Sequence, residues 1–358
     1  MIPRHGERRK APAKPTDWSA AYRELKDSLA RAGLLRRDPA SYLPVGVACC
    51  ALLVGSVGLA LAAPTTATGA LLPMVLLGFS LVQLALLGHD AGHTGIFGRP
   101  RLNWLLGSLC WTLTLGVGFA SWRRDHNLHH GRPNDPASDP GLQTGGLFAF
   151  SDEMALTRSG WARALGRRQA LLYVLGIPFL AFFLRGRGWY FAVVQLRGRE
   201  RIAEVALLAT SAALWALPVA LVGLWWGGVL FGAQLVAGVY LGLVFAPHHK
   251  GMPVWAWDRQ LSYLERQVLT ARNVRPHPVG DVLFGGLNYQ IEHHLFPTMP
   301  RSHLRQARDI VLPFCLAHGL PYEETSAVDS YRRILAELTR LGELPAARDQ
   351  HLADAARP

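Results

Sequence analysis

The sequence predicts an all-α integral membrane protein: four transmembrane helices in two hairpins, interfacial or re-entrant helices between them, and a cytoplasmic histidine-rich cap. Three observations carry this expectation. Half of the 358 residues are hydrophobic and the mean hydropathy is positive. Apolar runs at 43–63, 71–88, 205–224 and 229–246 approach or reach the roughly 20 residues that cross a hydrocarbon core. The short turns joining these runs in pairs hold no lysine or arginine, whereas the segments around the pairs do. Basic residues concentrate on the cytoplasmic side of a membrane protein, so both termini are expected there.

The formal charge of +12 fits the same reading, since exposed arginines beside a bilayer meet anionic lipid. Nucleic acid would be the rival partner of so basic a chain, but no recognition motif accompanies the charge, and none is expected. Cys49, Cys50, Cys110 and Cys315 lack metal-ligand spacing with one another or with histidine, which excludes a disulfide framework and a zinc ribbon.

Residues 1–42 read as a basic cytoplasmic segment, 43–340 as the membrane domain and 341–358 as a tail. In the first segment a helix is expected over 17–32, capped by Thr16 or Asp17, with Tyr22, Leu25 and Leu29 at helical spacing. Packing on its own domain and contact with lipid suit that pattern equally. The run 43–63 then crosses, the uncharged linker 64–69 turns, and 71–88 returns. His89 and His93 follow without a breaker, so they fall on the cytoplasmic extension of that span.

The next run, 102–120, contains Gly107, Gly116 and Gly118 and is flanked by Arg99, Arg101, Arg123 and Arg124. Positive charge on both sides argues for a re-entrant segment rather than a crossing. A full crossing would also part His89 and His93 from His126, His129 and His130. In the basic region 131–201 the apolar piece 170–184, at about 15 residues, falls short of a span and is expected in the interface. Runs 205–224 and 229–246 form the second hairpin about Trp225, Trp226, Gly227 and Gly228, whose tryptophans suit an interfacial belt. A closing helix is expected over 329–341.

Three histidine groups stand just beyond apolar runs: His89 and His93 as HxxxH, His126, His129 and His130 as HxxHH, and His293 and His294 behind Gln290 as QxxHH. Positions i, i+3 and i+4 of a helix share a face, and imidazole suits iron, copper, zinc and nickel. Three segments can therefore aim their nitrogens at one point. Seven histidines exceed what one tetrahedral zinc uses, which favours two metals and leaves iron, zinc and copper open. Asp90 and Glu292 read as carboxylates that orient imidazole N–H groups. His5, His277, His303, His318 and His351 are expected to have ordinary surface or packing roles.

The three boxes, in order and separated by apolar runs, resemble the membrane-bound fatty acid desaturase family. Gln290 at the head of the third box resembles that family's front-end branch, as do residues 285–289 and 295–301 and the run Lys250, Gly251, Met252, Pro253. The likeness covers about residues 40–340. It implies a non-haem di-iron centre of two iron ions, with O2 as co-substrate and two electrons, that inserts a cis double bond into a fatty acyl chain. The acyl carrier would be coenzyme A, a lipid or a carrier protein.

The resemblance makes the seven box histidines catalytic and metal-binding and implies an eighth ligand, His249, with adjacent His248 and Gln290 as further candidates. Phe245 stands where some relatives have an asparagine. A His-Pro-Gly-Gly haem motif is missing, so a separate electron donor is expected, a ferredoxin or a cytochrome b5 with its reductase. A bacterial plasma membrane fits that pattern, with endoplasmic reticulum or plastid as alternatives. The runner-up activity is an acyl or carotenoid hydroxylase or ketolase using the same di-iron site. A metal transporter would require ionisable residues in mid-bilayer, and the spans hold almost none.

Overall fold

In the computed structural model, which describes residues 17–256 and 260–344, the chain is helical nearly throughout. The strands among the described residues are two residues each, β1 (Asn273–Val274) pairing in parallel with β2 (Glu324–Thr325). Asp17 opens α1 (Trp18–Arg31) by accepting from the N–H groups of Ser19 and Ala20, which satisfies donors that a helix start leaves free. This helix buries Ala21, Leu25 and Leu29. Its Tyr22 hydroxyl donates to the Leu295 carbonyl at 3.1 Å and its ring stacks on Phe296. Between the two expected partners, α1 thus takes its own domain.

The long helices outgrow the apolar runs because polar caps begin them outside. Asp38 caps α2 (Pro39–Ala62) and Thr66 caps α3 (Ala67–Gly92). Leu43, Val47, Val54 and Leu61 of α2 face outward, whereas α3 is buried along its second half. Then follow α4 (Pro100–Ser108), a π-helical turn Leu109–Leu115 and α5 (Phe119–Gly131). The cap contributes α6 (Asp152–Leu156) and α7 (Gly160–Gly166), and α8 (Gln169–Gly176) continues through a 3-10 turn into α9 (Leu180–Tyr190). The second hairpin is α10 (Gly198–Val222) and α11 (Leu224–His249). Five more helices follow among the described residues: α12 (Tyr263–Leu269), α13 (Pro278–Leu283), α14 (Gln290–Leu295), α15 (Arg301–Ala317) and α16 (Ala327–Glu343).

The second hairpin turns elsewhere than expected. Trp225 and Trp226 lie inside α11, and the turn is made by Gly223 at φ +105°, a conformation that costs glycine little. Trp226 is buried against Ala60, Ala70 and Val229, and the Trp225 indole N–H donates to the Thr66 carbonyl at 3.4 Å. The two hairpin turns therefore meet at one end of the molecule, and the histidines gather at the other.

Among the described residues, five helical stretches are long and apolar enough to span a membrane, the four expected spans and Gln169–Gln195. The expected 15-residue piece stopped at the first arginine. The helix continues because Arg185 lies over the Trp215 ring at 4.8 Å and Arg187 pairs with Asp125 at 2.6 Å. Both ends of the stretch are tied to the histidine end: Gln169 Nε2 donates to the Leu338 carbonyl of α16 at 2.6 Å, and Gln195 accepts from Arg124.

The expected re-entrant segment is a broken pair. The chain bends by 114° between the halves Pro100–Leu115 and Phe119–Gly131, around Gly116, which has φ +76°. Glu204 of α10, placed by its sequence position at the edge of a span, is buried at the break and accepts from Ala120 N and Thr112 Oγ1. Gly188 passes so close that an added Cβ would lie 2.5 Å from the Gly118 nitrogen. Gly188→Ala should destabilise the protein by about 1–3 kcal/mol, read as a lowered unfolding temperature in detergent; an unchanged temperature would show that the contact gives way.

Candidate metal centre

Four elements deliver the histidines. His89 lies in the last turn of α3 and His93 caps it, α5 presents His126, His129 and His130 from successive turns, α11 ends on His248 and His249, and α14 carries His293 and His294. The bend between the re-entrant halves brings α5 back beside α3. One possible ligand nitrogen from each of His89, His93, His126, His130 and His293 lies within 4.8 Å of all the others, and the same holds for His129, His249 and His294. The two groups adjoin, since the rings of His130 and His294 stack at 4.1 Å.

The second ring nitrogen of several histidines fixes which one carries the proton. His249 Nδ1 faces the Thr270 carbonyl at 2.9 Å, His294 Nδ1 faces Gln267 Oε1 at 2.8 Å, and His129 Nδ1 faces Asp139 Oδ2 at 2.9 Å. Each acceptor takes a proton from Nδ1 and leaves Nε2 with a lone pair. Yet His249 Nε2 lies 3.2 Å from His129 Nε2 and 3.0 Å from His294 Nε2. Lone pairs that converge without a proton between them repel unless a cation lies among them.

In the larger group His89 Nδ1 faces Asp90 Oδ1 at 3.0 Å, while its Nε2 lies 3.0 Å from His126 Nε2. His93 and His130 approach the same His126 atom at 2.9 and 3.1 Å, and His293 Nε2 is buried without a partner. Burial first, then neighbouring histidines, holds the His293 and His294 imidazoles well below their ordinary pKa, so both are neutral donors at neutral pH. These residues fit two metal ions with nitrogen ligands.

The fold separates the adjacent pair at the end of α11. His249 joins the smaller group, whereas His248 turns away, its Nδ1 3.3 Å from the Arg272 carbonyl and its ring edge-on to Phe284. Gln290 enters the smaller group, with Nε2 3.0 Å from His249 Nε2 and a buried Oε1 that has no partner. Asp90 faces His89 through Oδ1, 3.0 Å from its Nδ1. Its Oδ2 meets the Arg301 guanidinium at 2.6 Å and the Tyr42 hydroxyl at 3.0 Å.

Glu292 departs from its expected role. It touches no histidine, accepting from Asn273 Nδ2 at 2.8 Å and the Tyr322 hydroxyl at 2.7 Å, because the helical twist of α14 points it opposite to His293. Burial pushes its carboxyl up to about 7. His277 accepts from Val279 N, and His303 and His318 face the carbonyls of Leu34 and Phe314. His5 and His351 lie outside the described residues.

Sequence reasoning missed Asp139, Gln267, Tyr42 and Arg301, and the ring of Trp122 stacks on His126 at 4.6 Å. Asp139 had a faint signal, an acid shortly after the second box among turn residues. Burial alone would raise its pKa, but His129 and Lys250 hold it below the ordinary carboxylate range, so it stays ionised. Asp139→Asn should weaken metal affinity about 10–100-fold in a competitive metal titration. Glu292→Gln should not, and equal loss in both would remove the distinction.

Compared with known proteins, residues 64–326 match the family described as fatty acid desaturase. The chain belongs to the fatty acid desaturase family. Among curated relatives, it is 28% identical over 348 residues to an acyl-lipid (9-3)-desaturase of Physcomitrium patens, covering 92% of this chain and 64% of that one. It is 27% identical to delta(8)-fatty-acid desaturase 2 of Arabidopsis thaliana, over 87% of this chain and 72% of the other. It is also 32% identical to a delta(8)-fatty-acid desaturase of Euglena gracilis, over 69% of this chain and 62% of the other. The chain thus spans about three fifths to seven tenths of the length of these relatives. They are eukaryotic, and nothing in them supports the expected bacterial membrane. As a desaturase family member, the chain places its three histidine boxes at one end of a helical membrane protein.

Proposed function

We propose that this protein is an acyl desaturase of front-end type, inserting a cis double bond into a fatty acyl chain. The observation that carries the reading is the pair of adjoining imidazole groups whose lone pairs converge in a buried site at the end of apolar helices. Bound there by His89, His93, His126, His130 and His293 and by His129, His249 and His294, two non-haem irons would supply the O2 chemistry that removes hydrogen from an unactivated methylene. With the His249 lone pair given to a metal, the Gln290 amide, whose Nε2 lies 3.0 Å from it and whose buried oxygen has no partner, would turn that oxygen toward the smaller group. Asp90, Asp139, Gln267 and the Thr270 carbonyl fix the ring orientations. The stack of Trp111, Trp122 and His126 walls one side of the site and excludes water.

Residues 43–340 form the catalytic unit in this reading, with α1 added to it. The histidine end faces the cytoplasm, because the opposite turns carry no basic residue. Gln169–Gln195, tied to the histidine end at both of its own ends, lies along that boundary. The substrate is a fatty acyl group on coenzyme A, lipid or carrier protein, and a ferredoxin or cytochrome b5 with its reductase delivers electrons. The test is the fatty acid profile of membranes expressing the chain with both donor systems, beside His293→Ala. The expected result is an acyl product short of two hydrogens, seen with the intact protein alone. A product that has gained an oxygen atom would replace the desaturase reading with a hydroxylase.

A further inference from the structure

Away from the histidines, the cap holds a cavity of about 390 Å³, within the size range of small-ligand sites. Phe148, Met154, Thr157, Arg158, Ser159 and Trp161 are among the residues that line it. Arg158 is 9% exposed. Its Nη2 donates to the Leu147 carbonyl at 2.9 Å and to Gln169 Oε1 at 2.6 Å, its Nε has no partner, and no carboxylate pairs with it among the described residues. A buried charge without a counter-charge is costly, and with both Nη2 hydrogens engaged the Nη1 amino group remains to meet a phosphate oxygen in a charge-assisted hydrogen bond. Asp152, the nearest acid in sequence but one, is engaged by Arg340.

The rim shows where the anion would come from. Trp161 stands 61% exposed, and behind it Leu165, Leu171, Val174, Leu175 and Phe179 are exposed too. Leu171, Leu175 and Phe179 recur every four residues and so share one helix face, on the stretch long and apolar enough to meet a bilayer. A tryptophan at the end of such a stripe marks the membrane interface, and Arg167 and Arg168 are exposed beside it. We propose that this cavity binds the phosphate headgroup of an anionic membrane lipid, with Arg158 as its counter-charge and Trp161 against the glycerol and upper acyl region. The inference does not depend on the histidine site or on the reaction proposed there.

The test is native mass spectrometry of the full chain released from nanodiscs of phosphatidylglycerol and phosphatidylcholine. The intact protein should retain phosphatidylglycerol preferentially. Arg158→Gln should reduce that retention at least about tenfold with bound metal unchanged, and Trp161→Ala should reduce it by a smaller factor. Since Arg158 also ties Leu147 to Gln169, a misfolded Arg158→Gln protein would leave the test to Trp161→Ala and to Arg167→Gln with Arg168→Gln. Equal retention in the intact protein and every folded variant would overturn the proposal. So would binding of glycerol 3-phosphate as tightly as the lipid, which would assign the cavity to a soluble phosphate.

Discussion

His294→Ala should abolish turnover and lower bound iron from about two per chain toward one, the number a single intact site of a two-metal pair would hold. His294 is fully buried, with Nε2 3.0 Å from His249 and Nδ1 held by Gln267. Removing it leaves His129 and His249 as the remaining histidines of the smaller group, too few for a stable metal site. The larger group loses only the stacking of His294 on His130 and keeps all five of its own nitrogens, so loss should be confined to one metal. Iron analysis of the purified variant beside its product profile makes the check. Full activity, or full iron occupancy without activity, would contradict the assignment of His294 as a ligand.

Arg301→Gln should cost about 3–5 kcal/mol of stability, the range for stranding one partner of a buried ion pair. Arg301 meets Asp90 at 2.6 Å, and the two side chains are 13% and 11% exposed. The same carboxylate holds Tyr42 and faces His89, so its unpaired charge would also disturb the first box. Asp90→Asn added to Arg301→Gln removes the stranded charge and should restore part of the lost unfolding temperature. A double variant no more stable than Arg301→Gln would show that packing, rather than charge, is what Arg301 supplies.

The readable features of this chain are local ones. The hairpins follow from apolar runs of spanning length and from the absence of charge at their turns. Each histidine box is a short segment whose i, i+3 and i+4 spacing sets one face of a helix. Even the return of 102–120 was legible, from glycines and from arginines at both ends. The errors arose where a partner was distant. The apolar piece 170–184 proved longer than expected, because neither the Trp215 ring over Arg185 nor the Asp125 partner of Arg187 can be foreseen from their neighbourhood. Glu292 looked like a histidine partner, since adjacency in sequence does not reveal that α14 turns it toward Tyr322.

What the sequence determined by itself, then, is a helical membrane protein with histidines enough for two metals. That information lies in periodicity and composition, which act over a few residues. Tertiary structure alone decided how the histidines divide into five and three, that His249 rather than His248 faces the smaller group, and that Asp139, Gln267 and Arg301 support the site. Arg301 and Asp90 are 211 positions apart. Only the close packing of α2, α3, α11 and α15 brings such residues within hydrogen-bond reach, and side-chain direction at that range is set by the whole fold.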